Sequence, residues 1–588
     1  MNHKRKTAMP IIDRRKFLGA GTAAAGVASL GLAMPGWARG MPNGTMARKG
    51  SDVLSGERMK MTVADAVLQS GTRRGPAITV NGTIPGPLLR LKEGQNLVVD
   101  LLNESAMESS IHWHGLLVPF QMDGVPGVTM AALKQGERFR YEFPIRQSGT
   151  YWWHAHTLQE PMGHYGPIII DPAGGEIHNY DRDYVIVLSD WSPMDPFTVL
   201  RKMKVGGAYF NYAQRSMTDE YPLSAEERRM WARMRMAPTD ISDAGASGFE
   251  FLMNGHAPAD GLEFLFRPGE KIRLRFINAA AMTFFNVRIP GLAMKVIQAD
   301  GQNVEPVEVE EFQMGNAETY DVIVEPKGSE AFAIVAETME RSGMALAMLA
   351  SRPGAQAAAP ALRDPPLLTM ADMGMEMNMG EGSDAGAMAG MSGMGASEGA
   401  MDMRDATPLP PGVKVGPGVT MIAMNPVDRM GDPGIGLDAV DHRVLDYRKL
   451  VSAVPHSNPR RPTRMKEIHL TGNMDRYMWS FDGKKYSAVT DDPIRFAFNE
   501  RVRVKLINNT MMAHPIHLHG HFFELVNGTA PERQPLKHTV VVQPGSSAQF
   551  DLTANEPGDW AFHCHLLYHM QTGMFQVVTV RPLEEGAA

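Results

Sequence analysis

The chain has 588 residues, 44% of them apolar, with a formal net charge of −7 and a pI near 6.3. That length holds three or four domains with cores of their own and excludes a disordered chain, and the charge balance offers no basic surface for nucleic acid. Cysteine occurs once, at Cys564, so no disulfide forms within the chain.

The first forty residues read as an export signal: a basic start, a small-residue apolar run from Phe17 to Met34, and an A-x-A-like cleavage site at Gly36-Trp37-Ala38. Residues 1–38 are therefore assigned to a signal peptide removed from the mature protein. Arg14-Arg15, followed by Lys16, Phe17 and Leu18, resembles the twin-arginine signal by which bacteria export folded proteins, which predicts a periplasmic location. The Gly/Ala-rich run is barely long enough to span a bilayer, and no later segment is apolar enough, so no membrane span is expected in the mature chain. A lone cysteine in an exported protein is either an inert buried thiol or one used for chemistry.

Three segments repeat one pattern: KEGQNLVVDLLN (92–103), RPGEKIRLRFIN (267–278) and AFNERVRVKLIN (497–508). Each is a turn followed by alternating apolar and polar residues ending in Asn. Period-two alternation is the strand signal, and Asn81-Gly82, Asn254-Gly255 and Asp482-Gly483 precede the copies as tight-turn dipeptides. The expectation is an all-β chain of three Greek-key β-sandwich domains, at 52–173, 180–350 and 440–583.

A helical insert at about 195–248 interrupts the second domain. Ser224-Ala225-Glu226-Glu227 reads as a capping box, ERRMWARMRM as a helix and Pro238 as its stop, with Met230 and Met234 packing onto the sandwich or, alternatively, touching copper. From 351 to 436 the regular pattern fails and the chain becomes a Pro/Gly/Met-rich linker or long functional loop.

Four clusters each contain His-x-His: His112-Trp113-His114, His154-Ala155-His156, His517-Leu518-His519 within a run that starts at His514, and His563-Cys564-His565. On a strand, residues i and i+2 share a face, so each pair presents two imidazoles together. Eight imidazoles suffice for three metal ions that keep open positions. The same alternation turns Cys564 and His514 to the opposite side. With His569 they make two imidazoles and one thiolate, a blue-copper set when a weak axial thioether is added. Met574 is the better axial residue and Met570 the poorer, because it adjoins a ligand. One isolated His-x-His carries little weight, and a structural zinc site has no use for eight histidines.

HWHG, WWHAH, HPIHLHGH and HCHLLYHMQTGM resemble, in order and spacing, the four copper motifs of the multicopper oxidases, whose three-domain cupredoxin layout would cover nearly the whole mature chain. The resemblance implies four copper ions. It gives His514, Cys564, His569 and axial Met574 to type 1 copper, and His112 and His517 to type 2. His114, His154 and His565 would hold one type 3 copper, and His156, His519 and His563 the other. It also implies a second-sphere acid at Asp123, a possible proton relay. Related copper-efflux oxidases carry a Glu where this chain has Met570. Within the family, MRMAPTDISDAG (234–245), the insert, the twin-arginine signal and the Met-rich linker look like the bacterial copper-resistance oxidases of the CopA type. His164 and His521 read as structural neighbours or as donors that hydrogen-bond to ligand residues, His538 matches no ligand position, and Trp113, Trp152 and Trp153 either wall the sites or pack in the core.

The linker carries Met373, Met375, Met377, Met379, Met388, Met391, Met394, Met401 and Met403. Thioethers select Cu(I), so the expectation is a segment that recruits Cu(I) near the type 1 site, the alternative being a flexible linker whose methionines do nothing. The expected activity is one-electron oxidation, of Cu(I) first, coupled to reduction of O₂ to water, with periplasmic copper carriers as possible partners. The rivals are a laccase-like phenol or Fe(II) oxidase and a copper-sequestering protein with incidental turnover.

Overall fold

The computed structural model describes residues 45–582 except 212, 214–222, 234–235, 375–409, 457, 459 and 488–491. The expected signal peptide thus lies outside the described residues. No helix among those described is long and apolar enough to cross a membrane.

The strands pair into six sheets, alternately six- and five-stranded, which form three sandwiches in chain order. In each sandwich the first long strand pairs in parallel with the repeated segment: Arg58–Ser70 with Asn96–Asn103, Arg182–Trp191 with Ile272–Asn278, and Arg464–Asn473 with Arg501–Asn508. Parallel neighbours need a crossover, and the returning antiparallel strands fill in the Greek-key pattern. The three turn dipeptides sit where their residues demand, with positive φ at both positions: 54° and 83° at Asn81-Gly82, 49° and 77° at Asn254-Gly255, 52° and 73° at Asp482-Gly483.

The Asn that closes each repeat has a structural purpose. Its buried amide donates to carbonyls of the following loop and a more distant strand end: Asn103 to Met107 and Leu133, Asn278 to Thr283 and Met314, Asn508 to Met512 and Val542. Its side-chain oxygen accepts from the backbone two residues on. Each bond contributes about 1 kcal/mol, so the amide pins the exit of the central strand at three places at once.

The insert holds two helices. Ala225–Arg233 carries the expected capping box, Ser224 N donating to Glu227 and Glu227 N to Ser224 Oγ. A second helix, Pro196–Val205, is capped by Asp195 and buries Val199 and Met203. Trp231 is buried and Met230 packs against the core, while Met234 lies outside the described residues.

The described flanks of the linker are fastened down. Leu368, Met373, Val419, Met421, Met430 and Ile435 are buried. Arg363 pairs with the buried Glu311 and Glu337 of the second sandwich, and Thr420 and Ala423 donate backbone bonds to Gly472 and Asn509 of the third. Irregular backbone carries no period, so sequence patterning does not register this packing.

Candidate metal centres

Strand pairing decides which side chains meet. In the first sandwich His112–His114 runs antiparallel to Gly149–His154, with His112 opposite His154, His114 opposite Trp152, and Trp113 opposite Trp153. Cross-strand partners share a face. His112, His114, His154 and Trp152 therefore line one side and the other two tryptophans the reverse. Trp113 packs edge-on to Tyr141 and Phe143 in the core, and Trp153 donates to the Pro87 carbonyl. Trp152 alone of the three walls the histidines, stacked 4.2 Å from His154.

In the third sandwich His514–Leu518 pairs with Gly558–Cys564, placing His517 opposite His563 and Ile516 opposite Cys564. The two faces of this pair serve two centres. The histidine face meets the first sandwich: His112 stacks on His519 and His114 on His517, each at 3.8 Å between ring centroids. His563 Nε2 lies 3.0 Å from His519 Nε2 and 3.3 Å from His156 Nε2. His565 sits 4.9 Å from His114 and 5.1 Å from His154, between ring centroids. The ring nitrogens of His156, His519 and His563 converge, as do those of His112, His114 and His154 and those of His112, His517 and His519.

Most of the outer ring nitrogens have fixed partners. His112 Nδ1 donates to the Asp123 carbonyl at 2.8 Å, and His519 Nδ1 to the Asp123 carboxylate at 2.8 Å. His154 Nδ1 donates to Glu160 at 2.8 Å, His517 Nδ1 to the His538 carbonyl at 2.7 Å, and His563 Nδ1 to the Cys564 carbonyl at 2.9 Å. That leaves buried nitrogens with no hydrogen-bond partner among the described residues: Nε2 of His112, His154 and His517, and both of His565. Burial, reinforced by the neighbouring rings, holds His114, His154, His156, His517, His519 and His565 well below the usual histidine range, and puts His563 at about 4. Neutral rings with unsatisfied inward lone pairs fit a cluster of imidazole-binding metal ions.

On the other face Cys564 Sγ lies 3.5 Å from His514 Nδ1 and 4.0 Å from His569 Nδ1, and those nitrogens are 3.3 Å apart. A short helix, Leu567–Thr572, follows the strand and turns His569 back toward the thiol. His563 pairs with Phe575 across the next strand, so Met574 falls beside Cys564, whose N–H donates to the Met574 carbonyl at 3.1 Å. Met574 is fully buried. His514 Nε2 is 2.7 Å from Thr510 Oγ1, and His569 Nε2 donates to Asp243 at 2.8 Å, which also accepts from Tyr477 O–H at 2.9 Å. Trp479 stacks on His569 at 3.8 Å. Burial pushes the Cys564 thiol well up, so a thiolate forms here when a cation takes the proton's place. Two imidazoles, a thiol and an adjoining thioether fit a soft trigonal site.

Outside His569 lies a surface depression of about 300 Å³ lined by Asp240, Asp243, Asp475, Met474 and Asn211. Burial raises Asp243 to about 7 and Asp240 to about 6. The sequence reading did not single out Asp243, Thr510, Glu160 or Trp479. Asp243 stands 326 positions from its partner His569, whereas Glu160 and Thr510 lie 6 and 4 positions from His154 and His514, so a polar residue close to a histidine was the one signal available for those two. His164 and His521 are structural, bonded to Gln159 and to the His519 carbonyl with burial lowering them to about 3 and about 4. His538 stands nearer the cluster than expected, 4.8 Å from His114, and its ring nitrogens converge with those of His114 and His517. Of the nine methionines expected to recruit Cu(I), Met373 alone is described, and it is buried in the core, away from any recruiting surface.

Family models described as multicopper oxidase match residues 62–174, 182–353 and 459–584. The chain is 42% identical to copper resistance protein A of Escherichia coli over 90% of this chain and 93% of that one. It is 41% identical to the copper resistance protein A homolog of Pseudomonas syringae pv. tomato, over 97% and 100%. The structure of a laccase from Botrytis aclada superposes with a TM-score of 0.61 at 19% identity, covering 92% of this chain and 90% of that one.

Proposed function

The chain belongs to the multicopper oxidase family, and from that premise we propose that its electron donor is Cu(I), oxidised to Cu(II) in the service of copper tolerance. Bound copper supplies reversible one-electron transfer and the capacity to reduce O₂ to water. The ligand assignment we propose gives His514, Cys564, His569 and Met574 to the type 1 ion, and His112 and His517 to type 2. His114, His154 and His565 take one type 3 ion and His156, His519 and His563 the other.

The observation that carries the Cu(I) reading is the depression beside His569. Asp243 accepts from the outer nitrogen of His569 and lines a hollow shared with Asp240, Asp475 and Met474. Carboxylates attract a cation, and a thioether prefers Cu(I) to harder ions. An electron entering there reaches Cys564 through the His569 ring. It then has a short covalent route to His563 and His565, the neighbours of Cys564 on the opposite face. Asp123 bonds both the His112 and the His519 side of the cluster, and we assign it the relay of protons there. The names of the 41–42% identical relatives support the copper-resistance role.

The described chain on both sides of the methionine segment runs beside this hollow's walls. Leu368 N donates to the carbonyl of Pro238, two positions before Asp240, and Asn473 Nδ2, beside Met474, donates to the Pro417 carbonyl. Recruitment of Cu(I) by Met375, Met377, Met379, Met388, Met391, Met394, Met401 and Met403, which lie outside the described residues, is consistent with those anchor points. Export of the folded protein to the periplasm follows from Arg14-Arg15 and the run after them, and periplasmic copper carriers would be its suppliers.

The test is O₂ uptake with Cu(I) as sole donor. Sustained uptake through many turnovers, with kcat/KM above that for a bulky phenol or Fe(II), is expected. A single stoichiometric burst sinks the enzyme reading in favour of storage, and a preference for phenol or Fe(II) sinks the choice of donor.

A further inference from the structure

The second sandwich gives no histidine to the eight-imidazole cluster, yet one of its acids reaches the backbone on which two of those rings depend. Lys537 is wholly buried in the seam between second and third sandwiches, with Nζ 3.1 Å from Asp300 and 3.0 Å from Glu318. Both acids are buried and both belong to the second sandwich: Asp300 sits at φ 47° in the turn between Met294–Ala299 and Gln302–Val309, and Glu318 immediately precedes Thr319–Val324. Glu318 also accepts from Tyr447 O–H at 2.7 Å and from Gly315 N at 2.8 Å.

A buried ion group of this kind is weak evidence for stability, because well-packed apolar residues serve that end as well. Its bonding shows a different use. Asp300 Oδ2 accepts from the backbone N–H of His538 and of Thr539, each at 3.2 Å. The same two residues carry the groups that orient the stacked rings. The His538 carbonyl accepts from His517 Nδ1 at 2.7 Å, and Thr539 Oγ1 lies 3.2 Å from His517 Nδ1 and 3.4 Å from His114 Nε2. The His538 ring is itself tied to Thr539 Oγ1 at 3.1 Å.

We propose that Asp300, held by Lys537, is a positioning residue for the cluster: a strut from the second sandwich that fixes peptide 538–539 and through it the orientation of His517 and His114. This rests on the ligand assignment above, in which His517 serves type 2 copper. In Asp300→Asn the oxygen that collects two N–H groups and a cation becomes a neutral amide, and the His517 ring loses its fixed orientation.

The experiment measures copper per chain, the type 2 electron paramagnetic resonance signal and Tm in the copper-loaded full chain, for the parent, Asp300→Asn, and the triple variant Asp300→Leu/Glu318→Gln/Lys537→Met. The expected result is retention of the blue absorption band with loss of about one copper of four, or a type 2 signal with shifted hyperfine splitting. In the triple variant no buried charge is left unpaired, and Tm returns toward the parent value while the copper deficit remains. Parent copper content and parent type 2 parameters in Asp300→Asn overturn the proposal. So does recovery of copper together with Tm in the triple variant, because the group is then merely structural. His517→Ala separates the premises: a parent type 2 signal there removes the ligand assignment, whatever Asp300 does.

Discussion

The donors around Cys564 all come from the third sandwich, from a stretch that begins at His514 and ends at Met574, and two of them sit on paired strands. The eight imidazoles behind them are shared, His112, His114, His154 and His156 from the first sandwich and His517, His519, His563 and His565 from the third, meeting through two stacked pairs. One centre is therefore a property of a fold and the other a property of docking. The thiol site forms wherever the third sandwich folds, whereas the cluster exists only when two sandwiches are held in register. In each case the second sandwich supplies an acid, Asp243 to one and Asp300 to the other, without supplying a ligand.

The largest expected effect comes from Cys564→Ser. The blue band vanishes and steady-state turnover with any donor falls to background, while the other three coppers remain, as copper analysis reads directly. Loss of all four coppers would break the claim that the two centres are assembled independently. Next is Asp123→Asn, which touches both sandwiches at the cluster: turnover is expected to fall by about 10- to 100-fold with the blue band intact. A bleached band would tie Asp123 to the wrong centre.

Asp243→Asn probes the thiol side from outside. It leaves four coppers in place and lowers kcat/KM for Cu(I) by about tenfold, with a smaller change for a bulky phenol. Deleting 375–403, which spares the buried Met373, is expected to cost less than about tenfold in Cu(I) oxidation at low donor concentration and nothing for phenol. Equal losses for both donors remove the segment from the recruiting role.

The smallest effect is one of pH. Burial raises Asp240 to about 6, so it is neutral at pH 5 and a carboxylate at pH 7. The charged form attracts Cu(I), hence KM for Cu(I) should fall as pH rises through that range. The dependence should flatten by about twofold in Asp240→Asn, and an unchanged profile would take Asp240 out of the entry site.

Much of this architecture is legible in the sequence because it is local. Period-two alternation marks the three central strands, Asn-Gly and Asp-Gly mark the turns, and His-x-His marks paired imidazoles on one face. Alternation also separates Cys564 from its neighbours, which the strand register bears out. Relations across the chain leave no such trace. Nothing near Asp243 announces a histidine partner, and the two outcomes for the tryptophans turn on register alone, since Trp152 faces the histidines and Trp153 the core. The helix Pro196–Val205 was readable from its Asp-Pro cap but is short and weakly patterned. The terminal Asn of each repeat is visible as a letter, while its reason lies in carbonyls of a loop and a distant strand end.

The anchored flanks of the linker bear on how such a protein changes over generations. Arg363 is fastened to Glu311 and Glu337, and Arg429 to Asp372 at the edge of the methionine segment, before the chain rejoins the third sandwich. Those fastenings and the seam around Lys537 tie the described chain on either side of residues 375–409 to the sandwiches. Insertions and losses within a loop closed at both ends cost little, since the closure penalty grows only with the logarithm of its length. The methionine segment can thus gain or shed thioethers, one codon at a time, without moving the eight histidines and one cysteine.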